Sequence, residues 1–278
     1  MNKEQTGWER ENRGHFDDIT QTYDKIRSGY PQELFADIFQ YTNPTTTKSA
    51  IEIGAGTGKA TQPILNANYN VTAIEISPNM ATFLQESFSG NNNFTAVIAP
   101  FEEADLKENS YDLIYSATAF HWVDAEIGCP KAFRLLKSGG TFALFRYNMF
   151  PGSNEELNEA IQTVYQQHYN SHYKSAKKPE KLSNEELRQP DAIKRGFGFS
   201  DLSTYGFKDL TMKLYEQERT FTASEYINLL ETFSDHRQLP ESNRAALFAG
   251  IKETIQNHGN RHQLHYTYQL YMGRKPQF

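Results

Sequence analysis

The sequence predicts an α/β protein built on a doubly wound, Rossmann-like sheet with helices on both faces. The first observation is the stretch IEIGAGTGK at residues 51–59, where a β-branched run meets a glycine-rich turn before a helix-compatible segment. The second is the alternation of short strand patterns with helical patterns along the chain. The third is Glu75, which ends the next predicted strand about 20 residues beyond the glycines.

The spacing of the glycines indicates which kind of ligand the turn suits. They lie at 54, 56 and 58, whereas a dinucleotide fingerprint requires a glycine at the position of Lys59. Glu52 precedes the turn, and a carboxylate there suits a cation or a hydroxyl and would repel a pyrophosphate. S-adenosylmethionine (SAM) carries an ammonium and a sulfonium but no phosphate, so the pattern favours SAM. An ordinary glycine-rich turn is the alternative if the motif is taken alone.

The remaining elements follow from periodicity and from helix signals. Predicted strands occupy residues 70–76, 94–99, 111–116, 141–147, 210–221 and 262–272. Predicted helices include 16–27, 31–39, 124–137, 154–173, 222–230 and 240–257. Ser138-Gly139-Gly140 is expected to stop the helix at 124–137, and the two late strands to form an antiparallel edge hairpin.

Composition limits the function classes. The net charge of −6 argues against nucleic-acid binding, which needs a basic surface. The single cysteine, Cys129, excludes an internal disulfide and a cysteine-based zinc cluster, and no metal site is expected. No apolar run approaches the length of a membrane span and no signal peptide is evident, which predicts a cytoplasmic protein without membrane contact.

The 278 residues suit one large domain or a domain with a sizeable insertion. We expect residues 1–15 to be a flexible tail and residues 16–278 to be a single domain. The pattern changes between about 150 and 206, where polar helices with tyrosines predict an inserted helical cap. Most of these tyrosines are expected only to pack.

Three stretches carry a resemblance to a known family. Glu52-Ile53-Gly54-Ala55-Gly56-Thr57-Gly58 resembles motif I of the class I SAM-dependent methyltransferases, Glu75 matches their acidic residue, and Leu136-Lys137-Ser138-Gly139-Gly140 matches their "LKPGG" turn. More narrowly, the chain is similar to the bacterial trans-aconitate methyltransferase-like (methyltransferase type 11) group. That similarity is carried by Tyr23-Asp24 to Tyr30-Pro31, by Ala119-Phe120-His121-Trp122 and by Thr232-Phe233-Ser234-Asp235-His236.

The resemblance implies a seven-stranded mixed sheet with SAM across the carboxyl ends of strands one, two and four. In that reading Glu52 lies near the methionine ammonium, the glycine backbone lies along the same end, and Glu75 binds the ribose. Phe101 and Glu102 are expected beside the adenine, although the usual Asp near Ala99 or Pro100 is missing. The cofactor-binding residues predicted are Glu52, Gly54, Ala55, Gly56, Thr57, Gly58, Glu75, Ile76, Phe101, Glu102 and Ala119.

The predicted reaction is direct in-line methyl transfer to a small molecule, for which a carboxylate is one candidate. The motif of amino-directed nucleic-acid methylases is absent from the segment Ser116-Ala117-Thr118-Ala119. The side chains expected to face the acceptor as catalytic residues are Tyr23, Arg27, His121 and Arg146. A structural role remains the alternative for His121, and a non-catalytic protein that binds SAM or S-adenosylhomocysteine (SAH) is the alternative function. The sequence does not indicate an oligomeric state.

Overall fold

The computed structural model describes residues 19–42, 48–173, 183–187 and 198–277. The predicted tail at 1–15 therefore lies outside the described residues, as does part of the predicted cap at 150–206. That division into a tail, a single domain and a cap stays a prediction.

The chain forms two compact units. The first, here called the sheet unit, comprises Ser28–Tyr147, Leu182–Tyr215 and Tyr268–Phe278. The second, here called the helical unit, comprises Met1–Arg27, Asn148–Lys181 and Glu216–Thr267. The boundaries between the two units fall within three long strands, and each of these strands begins in one unit and ends in the other.

The elements that begin in the sheet unit follow the alternation predicted from the sequence. The strands are β1 (Ser49–Ile53), β2 (Asn70–Glu75), β3 (Phe94–Ile98), β4 (Tyr111–Ala117), β5 (Leu136–Pro151) and β6 (Lys208–Phe221). The helices are α2 (Gln32–Thr42), α3 (Thr61–Asn66), α4 (Pro78–Ser87), α5 (Ala125–Leu135) and α8 (Asn184–Leu187), with 3-10 turns at Phe120–Trp122 and Phe199–Ser203.

The helical unit contains the remaining elements. Its helices are α1 (Thr20–Ile26), α6 (Glu155–Tyr165), α7 (Ser171–Tyr173), α9 (Ala223–Leu230), α10 (Ser234–Arg237) and α11 (Glu241–Asn257), with a π-helical turn, Gln166–Asn170, between α6 and α7. The strand β7 (His262–Arg274) begins here. Helix α11 packs against α6 and α9, and Gly250 permits this because a Cβ there would lie 2.8 Å from Val164.

The strands form one seven-stranded sheet in the order β3-β2-β1-β4-β5-β7-β6. β1 pairs in parallel with β2 on one side and with β4 on the other, so the direction of winding reverses at β1. The hydrogen bonds Lys275 N–H to Gly140 O and Gly152 N–H to Gln263 O, both 2.8 Å, show that β5 and β7 run antiparallel. The sheet is mixed, as predicted, and the two late strands are neighbours at its edge.

The predicted end of helix α5 is wrong. The helix ends at Leu135, and Leu136 already has an extended backbone with φ −68° and ψ 141°. Leu136 pairs with Tyr111, and the next paired position is Thr141 with Leu113, so residues 137–140 form a bulge within β5. Strand pairing therefore replaces the last two residues of the predicted helix, and the two glycines belong to the bulge.

The interior of the sheet unit is an apolar cluster between the sheet and its helices. It includes Ile51, Ile53, Ile114, Phe142 and Phe207, each exposed by 2% or less. This packing fixes the ends of β1 and β4, from which the loops described below emerge. In the part of the chain that the structure describes, no helix is long and apolar enough to cross a membrane. The predicted cytoplasmic location stays a prediction.

Candidate functional site

The glycine turn after β1 has the backbone geometry that the sequence predicts. Gly54, Gly56 and Gly58 all have positive φ angles, of 68°, 58° and 87°. These left-handed conformations are easily reached only by glycine. A Cβ on Gly54 would lie 2.5 Å from the Cβ of Ala119, so the first glycine also allows a close contact with the loop that follows β4.

Glu75 ties this turn to the end of β2. Its Oε2 accepts a hydrogen bond from the Gly56 N–H at 2.7 Å, and its Oε1 accepts one from the Ser77 N–H at 2.9 Å. The carboxylate is buried, with 6% of the residue exposed. Glu75 is thus fixed beside the glycine turn, and its contact with the ribose stays a prediction.

Glu52 lies deeper than the sequence suggested. The residue is fully buried, and its Oε2 accepts hydrogen bonds from the hydroxyls of Thr61 and Tyr115. Its Oε1 has no hydrogen-bond partner among the described residues. Burial raises the pKa of Glu52 to about 8, so the acid is mostly protonated at neutral pH. The repulsion expected between Glu52 and a pyrophosphate therefore requires that the Glu52 carboxyl group has lost its proton.

Two other turn residues predicted to bind the cofactor are also buried. Thr57 is 5% exposed, and its hydroxyl oxygen has no hydrogen-bond partner among the residues that the structure describes. Ala55 donates its N–H to the carbonyl of Ile74 at 3.2 Å, which holds the turn against β2. A buried polar atom without a partner is uncommon and calls for an explanation.

The loop after β4 lies next to the glycine turn. Thr118 has a positive φ of 55°, and its hydroxyl shares a 2.8 Å hydrogen bond with the hydroxyl of Tyr30. Ala119 follows and contacts Gly54. His121 is half-buried, with its ring centroid 4.9 Å from that of Trp122. Ala119 and Gly54, each predicted to bind the cofactor, thus lie beside each other, and the role of His121 stays a prediction.

The two residues predicted beside the adenine already have structural contacts. Phe101 belongs to the apolar cluster of the sheet unit, is 3% exposed and lies 5.4 Å from the ammonium of Lys131. Glu102 accepts a hydrogen bond from the N–H of Asp124 at 3.1 Å, beside the start of α5. Ile76, between Glu75 and Ser77, is half-buried. The contacts of Phe101 and Glu102 with the adenine, and the contact of Ile76 with the cofactor, stay predictions. The observed contacts of Phe101 and Glu102 give both residues a structural role that needs no ligand.

Arg146 does not extend freely into solvent. Its Nε donates to Gln269 Oε1 at 2.9 Å and its Nη2 donates to the Tyr271 hydroxyl at 3.1 Å, so the guanidinium is fastened to β7. These contacts hold the planar guanidinium in a fixed direction. Its contact with an acceptor stays a prediction.

Tyr23 and Arg27 lie in the helical unit. Arg27 donates from Nε to the Thr232 hydroxyl and from Nη2 to the Thr232 carbonyl, both at 2.8 Å. Its guanidinium also lies 4.5 Å from the ring centre of Phe233 and 5.2 Å from that of Tyr23. These contacts join α1 to the segment between α9 and α10, so Arg27 has a structural role beside its predicted one.

A buried polar network in the helical unit was not predicted. The hydroxyl of Tyr169 donates to Asp235 Oδ2, and that of Tyr173 donates to the Asp235 carbonyl. His236 contacts Asp235 Oδ1 through Nδ1 at 3.1 Å and the Tyr165 hydroxyl through Nε2 at 2.9 Å. Burial acts to raise the pKa of Asp235, but its contacts with His236 and Tyr169 hold that pKa below its ordinary value.

The sequence did contain a signal for this network. Tyr165, Tyr169 and Tyr173 recur every fourth residue, which places them on one side of a helix. The sequence alone predicts that most tyrosines of this region only pack. Their hydroxyls instead meet a buried Asp-His pair, and such a partner becomes visible only in the fold.

The comparisons with known proteins agree with the geometry of the turn. Residues 51–144 match the protein family described as methyltransferase domain. An uncharacterized methyltransferase of Mycobacterium tuberculosis is 30% identical over 122 residues, which are 44% of this chain and 47% of that protein. The chain thus spans about half the length of this curated relative.

Two solved structures are similar over nearly the whole chain. Phosphoethanolamine N-methyltransferase 2 of Haemonchus contortus has a TM-score of 0.53 and 16% identity, covering 98% of this chain and 61% of its own. The (4+2)-cyclase SpnF has a TM-score of 0.53 and 11% identity, covering 97% of this chain and 96% of its own. Identities this low show only the fold. The match to the methyltransferase-domain family covers about a third of the chain, and the seven-stranded sheet has the class I methyltransferase fold.

Proposed function

We propose that this protein is a SAM-dependent methyltransferase that acts on a small molecule. The observation that carries the proposal is the link between the glycine turn and Glu75. The turn holds three left-handed glycines, and the Gly56 N–H binds Glu75 where the winding of the sheet reverses. Ligands of doubly wound sheets bind at this position, outside the carboxyl ends of the strands.

The residues of the turn fit SAM. Glu52 Oε1 and Thr57 Oγ1 are buried without a partner among the described residues, so ligand groups that donate hydrogen bonds would satisfy them. Once it has lost its proton, Glu52 would bind the methionine ammonium, directly or through water. The glycine backbone would contact the same end of the ligand. Glu75 would accept hydrogen bonds from the ribose hydroxyls.

The chain itself has to bind and orient the reactants. SAM supplies a methyl group on a sulfonium, which is a good leaving group. Alignment of the acceptor with that methyl in a site that excludes water can supply most of the rate enhancement. A general base is needed only when the acceptor must lose a proton.

We infer that the acceptor is a small molecule and that a carboxylate is the first class to examine. A carboxylate attacks without losing a proton, and Arg146 offers a cation held in place by Gln269 and Tyr271. His121 is the candidate base for acceptors that do carry a proton. Tyr23 and Arg27 stay predictions from the sequence.

The experiment that tests the proposal has two stages. Isothermal titration with SAM, SAH and NAD should give binding of the first two and none of NAD. Transfer of a radiolabelled methyl group should then be measured with panels of carboxylates, phenols and amines. Failure to bind either adenosyl ligand would overturn the proposal at its first step.

The alternative is a protein that holds SAM or SAH without transferring a methyl group. Fold alone does not determine chemistry. One of the two similar solved structures is named as a (4+2)-cyclase and not as a methyltransferase, so the fold is compatible with this alternative. Tight binding of both adenosyl ligands without label transfer to any acceptor class would support this alternative.

A further inference from the structure

The helical unit contains a polar recess that the proposed function does not use. It has a volume of about 230 Å³ and lies between the start of α6, the end of β6 and the start of β7. That volume is smaller than the 300–1,000 Å³ typical of pockets for drug-sized ligands, so it suits a molecule of only a few heavy atoms. Its lining residues are Gly152, Ser153, Asn154, Asn158, Thr220, Arg261, His262 and Gln263.

The floor of the recess is fixed by backbone contacts. Gly152 donates its N–H to the Gln263 carbonyl at 2.8 Å, and a Cβ on Gly152 would lie 2.9 Å from that same oxygen. The Gly152 carbonyl in turn accepts from Asn158 Nδ2 at 2.8 Å. Asn154 caps α6 through a 3.1 Å bond from the Leu157 N–H. The polar groups above this floor are therefore presented in set positions.

Two side chains at the recess have polar atoms without a hydrogen-bond partner among the described residues. The Oδ1 of Asn158 is buried and has no partner among the described residues, because its amide nitrogen is the atom bound to Gly152. His262 is only 2% exposed, and no described residue forms a hydrogen bond with its ring. Its ring packs edge-on against Tyr226 with centroids 4.6 Å apart. Burial lowers the pKa of His262 to about 4, so the imidazole is neutral near pH 7 and offers one donor and one acceptor.

The charge at the recess comes from Arg261. This residue is exposed and forms no ion pair with any residue that the structure describes. The carboxylate of Glu218 accepts from Gln263 Nε2 at 2.7 Å and contacts His265 at 3.1 Å. Glu155 and Glu156 in the first turn of α6 do not line the recess. A free guanidinium above a neutral polar floor favours an anion with additional hydrogen-bonding groups.

We propose that this recess binds a small hydroxycarboxylate. The carboxylate would pair with Arg261, and the hydroxyl would donate to Asn158 Oδ1. The His262 ring would bind a remaining oxygen of the ligand through its N–H. Thr220 and Ser153 add hydroxyls at the rim of the recess.

The test uses glycolate as the probe and acetate as the matched anion without the hydroxyl. Imidazole resonances of the full-length protein are followed by NMR during titration, with SAH present throughout so that its own effect is constant. A substitution of His262 assigns the relevant signals. We expect glycolate to shift them with a millimolar dissociation constant and to bind about fivefold more tightly than acetate, as one neutral hydrogen bond implies.

Arg261→Gln should weaken glycolate binding about tenfold, since it removes a charged hydrogen-bonding partner. Lys252→Gln is the matched control, because Lys252 is an exposed cation of α11 in the same unit and does not line the recess. No saturable shift of the His262 signals, equal binding of acetate and glycolate, or equal weakening by both substitutions would each overturn the proposal. These outcomes do not depend on SAH binding, so the proposed function can fail separately.

Discussion

Two buried polar clusters, one in each unit, differ in how well their atoms are satisfied. In the sheet unit, Glu52 and Thr57 each leave a buried oxygen without a partner among the described residues. In the helical unit, both carboxylate oxygens of Asp235 and both ring nitrogens of His236 have partners. Unsatisfied buried groups cost free energy, and a ligand that satisfies them is one reason for which they persist. A complete network of hydrogen bonds more often stabilises the fold.

This contrast assigns ligand binding to the glycine turn and stability to the Asp235 network. Substitutions in the turn should therefore change cofactor affinity, or the pH dependence of stability. Substitutions in the network should change stability while leaving the affinity of the folded protein for SAM as it was.

The largest effect is expected in the pH dependence caused by Glu52. The pKa of Glu52 is about 8 in the folded protein and ordinary in the unfolded chain. At pH values between these two pKa values, the folded state therefore binds more protons than the unfolded state. The contribution of Glu52 to the free energy of unfolding is fully present below about pH 4.5 and is lost as the pH rises to about 8. At 1.36 kcal/mol per pKa unit, the full loss is about 5 kcal/mol as an upper bound.

Glu52→Gln removes this titration and keeps an acceptor for Thr61 and Tyr115. Denaturant unfolding of both proteins should be followed from pH 4 to pH 9, and the difference between them isolates Glu52 from other titrating groups. Parallel pH profiles for the two proteins would mean that Glu52 ionises in the fold as it does in water.

Gly54→Ala should lower the free energy of unfolding by about 3 kcal/mol, from steric overlap with Ala119 and from the positive φ. It should also abolish measurable SAM binding, because the shape of the turn is lost. Gly29→Ala is the matched control, since a Cβ there meets no atom within 4 Å and its φ is not in the left-handed region. Equal stability of the two variants would contradict the geometry of the turn.

Asp235→Ala should cost about 2–3 kcal/mol, because the Tyr169 hydroxyl and His236 Nδ1 lose a buried partner. Urea unfolding measures the loss, and Glu231→Ala, at an exposed position of the same unit, should be nearly neutral. SAM affinity of the folded Asp235→Ala protein should equal that of the parent. A tenfold weaker affinity would place the network in the binding machinery and remove the contrast between the two clusters.

The parts predicted correctly from the sequence depend on local chemistry. Three alternate glycines permit a left-handed turn, and an acidic residue at the end of the next strand is brought beside it by parallel pairing. The features that were missed depend on distant partners. Leu136 joins a strand because Tyr111 lies opposite, and Glu52 stays protonated because the surrounding core excludes water. Neither the pairing of Leu136 with Tyr111 nor the burial of Glu52 can be inferred from the residues next to them in the sequence.

The predicted ribose contact of Glu75 gives the smallest change in free energy but the most direct test of the turn. Glu75→Ala removes the acceptor that faces Gly56 and should weaken SAM binding at least tenfold, which is about 1.4 kcal/mol. Glu86→Ala on α4 is the control, because that side chain is exposed and lies in the same unit. Titration calorimetry with SAM and with methionine separates the two contributions of Glu75. If the residue only shapes the turn, both ligands lose affinity; if it also holds the ribose, the loss for SAM exceeds the loss for methionine.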